Sequence, residues 1–110
     1  MAEEEHDEQL EVAMKLIING GSAKSSAFEA IHAAKKGQFT EADQKLDESD
    51  QFLIKAHNVQ TQMLTAEANG THAEVSLMMV HAQDHIMNAI TFRDLAGEIV
   101  DLYKKLDSKD

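Results

Sequence analysis

Apolar side chains recur along this chain at steps of three and four, the repeat of helices that each bury one face. The first row is Leu10, Met14, Ile17, Gly21, Phe28, Ile31 and Ala34. It stops at Lys35-Lys36-Gly37, where positive charge in a last turn followed by glycine ends a helix. Asn19-Gly20-Gly21-Ser22 falls inside this row. Read locally it is a turn, yet the apolar spacing runs through it in phase. The row therefore predicts one long helix, kinked at most, whose paired glycines let a neighbour approach closely. Two short helices are the alternative.

Thr40 opens the second helix as a cap, with Asp43 completing a capping-box variant. Ala42, Leu46, Leu53, Ala56, Gln60 and Met63 mark its inner face, and Asn69-Gly70 ends it. Thr71-His72-Ala73-Glu74 then reads as a second capping box. The third helix runs from there to about Leu106. Short links between long helices favour antiparallel neighbours. The expected fold is all-α: an antiparallel up-down-up three-helix bundle over residues 9–107, with an acidic, disordered tail at 1–8 and a short tail at 108–110.

The third helix carries two apolar stripes. Met78, Ala82, His85, Ala89, Phe92, Ala96, Ile99, Tyr103 and Leu106 form a heptad seam expected to pack on the first two helices. Leu77, Val80, Asp84, Met87, Thr91, Leu95 and Leu102 lie on the far side. A lone bundle would leave that second stripe in water, so it predicts self-association about a symmetry axis. Asp84 falls within it. A carboxylate there either attracts a cation or protons, fixes register and copy number, or touches solvent at a ragged edge.

Composition narrows the functions. With no proline, 5 glycines and no cysteine among 110 residues, long helices go unbroken, and disulfides and thiolate chemistry are excluded. The net charge of −10 repels phosphate backbones and anionic lipids, so nucleic acid and membrane are poor partners. The acidic start, Met1 to Glu8, lacks the apolar run of a secretory signal. A cytoplasmic protein is expected.

The densest chemistry is His81-Ala82-Gln83-Asp84-His85. His81, Asp84 and His85 share one side of a helix, and His81 sits between the two stripes. A neutral imidazole is a good nucleophile near neutral pH. Attack on phosphorus needs mainly positioning and in-line geometry. The residues alone leave three readings open: a phosphohistidine carrier, a non-catalytic helical interaction module, and a metal-binding bundle. Met78, Met79 and Met87 read as core filling, and His6, His32 and His72 as surface residues.

Val80-His81-Ala82-Gln83-Asp84-His85, with Met87 beyond, resembles the signature of enzyme IIA of the lactose/cellobiose type, from the bacterial phosphoenolpyruvate-dependent sugar phosphotransferase system. Two further segments resemble the family in order and spacing: Leu16-Ile17-Ile18-Asn19-Gly20-Gly21-Ser22-Ala23-Lys24-Ser25 and Ala56-His57-Asn58-Val59-Gln60-Thr61. The likeness spans roughly residues 9 to 106.

The resemblance implies a homotrimer and phosphorylation of His81 on Nε2. It implies that Asp84 lies on the threefold axis, where three copies share one divalent cation, typically Mg2+. The histidine-containing phosphocarrier protein would donate to His81, and His81 would pass the group to a cysteine of enzyme IIB. The sugar never touches such a chain. Gln83, His85, His57 and Gln60 are candidates for supporting the phosphoryl group, with structural hydrogen bonds as the alternative. Val75-Ser76-Leu77 and Leu16 to Asn19 look closer to the cellobiose and diacetylchitobiose branch than to the lactose branch.

Overall fold

The computed structural model describes residues 2–108. Met1 and most of the expected 108–110 tail lie outside it, as does the side chain of His6, expected at the surface. Three helices make up the fold: α1 Ala2–Lys35, α2 Phe39–Ala68 and α3 Leu77–Asp107. Contacts fix their directions. Ser49 meets Ala23 and Lys45 meets Glu29, so α2 runs against α1. Gln60 meets Gln83 while Asp43 meets Lys104, so α3 runs against α2. The up-down-up bundle follows.

The segment expected as a disordered tail is helical from Ala2 onward. Ala, Glu and Gln are strong helix formers, and acidic residues near a helix N-terminus complement its dipole. The helix also passes through Gly20 and Gly21 without a break.

Gly37 and Gly70 end α1 and α2 as the sequence predicts, with φ of 76° and 93°. Each closes the same double turn. Gly37 N–H donates to Ala34 O and Gln38 N–H to Ala33 O. Gly70 N–H donates to Glu67 O and Thr71 N–H to Ala66 O.

These closures displace both expected caps. Gln38, with no side-chain cap, precedes α2. Phe39 docks on the core, so Thr40 already lies inside the helix. Thr71 N–H donates to Ala66 O in the turn that closes α2, and α3 begins only at Leu77. Ser76 caps it instead, its Oγ accepting from Met79 N–H at 3.1 Å.

The buried rows are mostly alanine. On α1 they run Ala13, Leu16, Gly20, Ala23, Ala27, Ala30 and Ala34. On α3 the buried row is Met79, Ala82, Ile86, Ala89, Ala96 and Val100. The expected inner seam is therefore turned part-way round α3. Its alanines are buried, but Met78, Ile99 and Leu106 are exposed. Leu10, Met14 and Phe28 of the first row are exposed as well. Small side chains sit where the helices come closest, which pushes the bulky apolar residues to the flanks.

The expected inner face of α2 holds. Ala42, Leu46 and Ala56 are buried, and Leu53, Gln60 and Met63 are half-buried.

Two apolar clusters fill the bundle, one around Ala30, Leu46 and Val100 and the other around Leu16, Ala56 and Ile86. A polar layer joins the helices along their length. Fully buried Ser49 donates to Ala23 O at 2.8 Å. Arg93 forks onto Asp50 at 2.6 and 2.9 Å.

Candidate functional site

Ser76 sets where α3 begins, and that phase decides what each later residue faces. Ala82 and Ile86 turn into the core. His81, one step before Ala82, is left exposed beside the boundary of α1 and α3. His85, one turn on, is half-buried. The two imidazoles stand together, with ring centroids 5.9 Å apart and planes tilted by 32°.

His85 lies over Gly20 and Gly21 of α1. It closes one end of a shallow groove formed by Ile17, Ile18, Ser22 and Ser25 of α1 with Glu48 and Phe52 of α2. An imidazole carried on an open helix face can be reached by an incoming phosphorus atom. The second ring beside it can supply an N–H to a phosphoryl oxygen.

The other expected supporting residues are placed differently. Gln83 is turned about 200° round the helix from His81. It accepts from Gln60 Nε2 at 2.8 Å. Its own Nε2 faces the sulfurs of Met63 and Met79 at 3.5 and 3.7 Å. This amide pair joins α2 to α3 and lines a cavity of 270 Å³ with Met63, Leu64, Val75 and Val80, away from the histidine pair. His57 is exposed on α2 and makes no hydrogen bond or ion pair among the described residues.

Asp84 is exposed and lies on the far stripe of α3. That stripe is open to water as expected: Leu77, Val80, Met87, Leu95 and Leu102 are all exposed, Leu77 to 86%. Among the described residues, no three His, Cys, Asp or Glu side chains gather to hold a metal ion within one chain. His81, Asp84 and His85 thus do not form the single-chain site that their spacing allowed. Asp84 offers one carboxylate.

Sequence spacing brought out His81, His85 and Asp84. It missed the contact between His85 and the glycine pair. The available signal was two adjacent glycines that fail to break a helix.

The family model for the lactose/cellobiose-specific IIA subunit of the PTS matches residues 11–104. The lichenan-specific phosphotransferase enzyme IIA component of Bacillus subtilis is 46% identical over 101 residues, 92% of each chain. The crystal structure of the cellobiose-specific enzyme IIA of Bacillus anthracis superimposes with a TM-score of 0.88 at 44% identity, covering 91% of this chain and 92% of that one. The chitobiose IIA of Escherichia coli, solved in complex with HPr, gives a TM-score of 0.78 at 41% identity, covering 90% of this chain and 96% of its own. The chain belongs to the lactose/cellobiose-specific IIA subunit family of the phosphotransferase system. It is a phosphotransferase component that relays phosphoryl groups. No helix among the described residues is long and apolar enough to cross a membrane.

Proposed function

We propose that His81 is the residue that carries the phosphoryl group, accepting it from HPr and handing it to enzyme IIB. The observation that carries this reading is the exposed His81 ring beside half-buried His85, at 5.9 Å between centroids. In the first step the Nε2 lone pair of neutral His81 attacks phosphorus. A new P–N bond forms as the P–N bond to the donor histidine breaks. In the second step a thiolate of IIB attacks, the P–N bond to His81 breaks and a P–S bond forms. Each transfer is a displacement at phosphorus, so the chain's contribution is placement. His85 donates to a phosphoryl oxygen and steadies the developing charge.

The exposed stripe of α3 supports self-association in which α3 meets its copies, with Leu77, Val80, Met87, Leu95 and Leu102 excluded from water, and the family resemblance makes the number of copies three. The donor set at Asp84 fits a metal only as one carboxylate per copy. Three such groups would hold one divalent cation, Mg2+ by its preference for oxygen ligands. The ion would supply neutralising charge on the axis and take no part in the transfer. The relatives named for lichenan, cellobiose and chitobiose favour an oligosaccharide of that kind as the sugar taken up by the system. The chain itself works in the cytoplasm, on protein partners alone.

The test is incubation with phosphoenolpyruvate, enzyme I and HPr, followed by mapping of acid-labile phosphate. Label on His81, lost in His81→Ala, is expected. Absence of label with active components would overturn the reading in favour of a non-catalytic helical module.

A further inference from the structure

Gly20 and Gly21 make no turn. Positive φ occurs at Gly37 and Gly70, and α1 runs helically through the pair. A glycine inside a helix is destabilising relative to alanine, and two in succession compound the loss. What they provide is room for one side chain. A Cβ at Gly20 would stand 2.9 Å from His85 Cδ2 and 3.4 Å from Ile86 Cδ1. A Cβ at Gly21 would stand 3.5 Å from His85 Nε2. The nearest neighbour of both positions is the same imidazole, not the backbone of α3.

We propose that Gly20 is a positioning residue, its missing Cβ a socket that seats the His85 ring against α1 so that it faces the phosphoryl group on His81. The proposal rests on the reading of His81 as the phosphorylated residue. Without the socket the ring has to swing about its two side-chain torsions. The spacing to His81 is then lost, although both helices remain in place.

The two glycines differ in a way that separates positioning from packing. Alanine at position 20 meets the ring at 2.9 Å, closer than a Cβ contact tolerates, whereas at position 21 the contact of 3.5 Å is ordinary. Both substitutions gain the same helix propensity. The pair thus forms a matched comparison one residue apart.

Transfer from phosphorylated HPr to the full chain is followed by rapid quench, with the 31P resonance of the phosphohistidine as a second readout. Gly20→Ala is expected to lower kcat by about tenfold or more through misplacement. KM stays within about twofold, because the docking surface is untouched. The 31P signal moves. Gly21→Ala leaves kcat, KM and resonance as in the unmodified chain. On a His85→Ala background, Gly20→Ala brings no further loss, since no ring remains to displace. That double variant also decides the matter if Gly20→Ala alone does not fold: recovery of folding, at the rate of His85→Ala, supports the socket. Three results overturn it: a Gly20→Ala chain with unchanged transfer, an equal loss in Gly21→Ala, or an undiminished loss or failure to fold on the His85→Ala background. Absence of label on His81 in the unmodified chain overturns the parent reading instead.

Discussion

Gln60 Nε2 donates to Gln83 Oε1 at 2.8 Å, and this amide bridge faces away from His81. Its role within one chain is to tie α2 to α3. Gln60→Ala leaves the Gln83 oxygen half-buried and unpaired, so it should destabilise the chain by about 1–2 kcal/mol. Gln60→Leu with Gln83→Leu removes both partners and should recover most of that loss. Urea unfolding of the single and double variants checks the pattern. Labelling of His81 should be unchanged in both.

Ser49 gives a second measure of how tightly the helices meet. Its hydroxyl is fully buried and donates to Ala23 O at 2.8 Å. Ser49→Ala should cost about 1 kcal/mol, since only the hydrogen bond is lost. Ser49→Val adds bulk against fully buried Ala23 and should cost about 2–3 kcal/mol more, through overpacking. Thermal unfolding followed by circular dichroism distinguishes the two. Equal losses would show that the α1–α2 contact has slack.

The Arg93–Asp50 fork depends on a glycine as well. A Cβ at Gly97 would stand 2.8 Å from Arg93 Nη1. The hydrogen bonds to Asp50 raise the guanidinium above its ordinary pKa, outweighing the opposing effect of burial. Arg93→Lys loses the planar fork. With Asp50 42% exposed, solvent screening limits the cost to about 1 kcal/mol. Gly97→Ala should displace the same fork, so the two losses should not add. A double-mutant cycle on unfolding free energy reads this directly.

Assembly has its own prediction. Leu95→Glu with Leu102→Glu should yield monomers of unchanged helicity in analytical ultracentrifugation, because both residues are exposed in the single chain. Asp84→Leu should tighten association by about tenfold or more through relief of carboxylate desolvation, and leave phosphorylation of His81 intact. It should also abolish any effect of chelators on association. Monomers from Asp84→Leu would count against an axial position for that residue.

The legible parts of the fold were those written in local chemistry. Gly37 and Gly70 marked helix ends because the closing turn demands positive φ. The outer stripe was readable because its steps of three and four run without a miss from Leu77 to Leu95. Thr40 and Thr71 misled for a physical reason: α2 already begins at Phe39, which docks on the core, and α3 begins only after Ser76, whose hydroxyl takes the cap, and local spacing fixes neither start. The alanine rows were assigned too little weight. A reading that ranks side chains by apolar area sends Met14, Phe28 and Ile99 inward, whereas close helix approach selects Ala23, Ala27 and Ala96. At the site, His81 and His85 were found from their one-turn spacing. The seat of His85 on Gly20 depends on the relative register of α1 and α3, which no local pattern encodes.

The bundle is a rod of 64 × 22 × 19 Å, and α3 spans residues 77–107 with both histidines in its opening turns. Yet His85 rests on Gly20, midway along α1, so a visiting protein has to recognise the flank of the rod and not a tip. In the proposed assembly Leu95, Leu102 and Leu106 lie beyond both histidines along α3, where substitutions would harden or loosen the union of copies without altering what the visitor meets. Turnover and cohesion would then be separately adjustable traits of one helix.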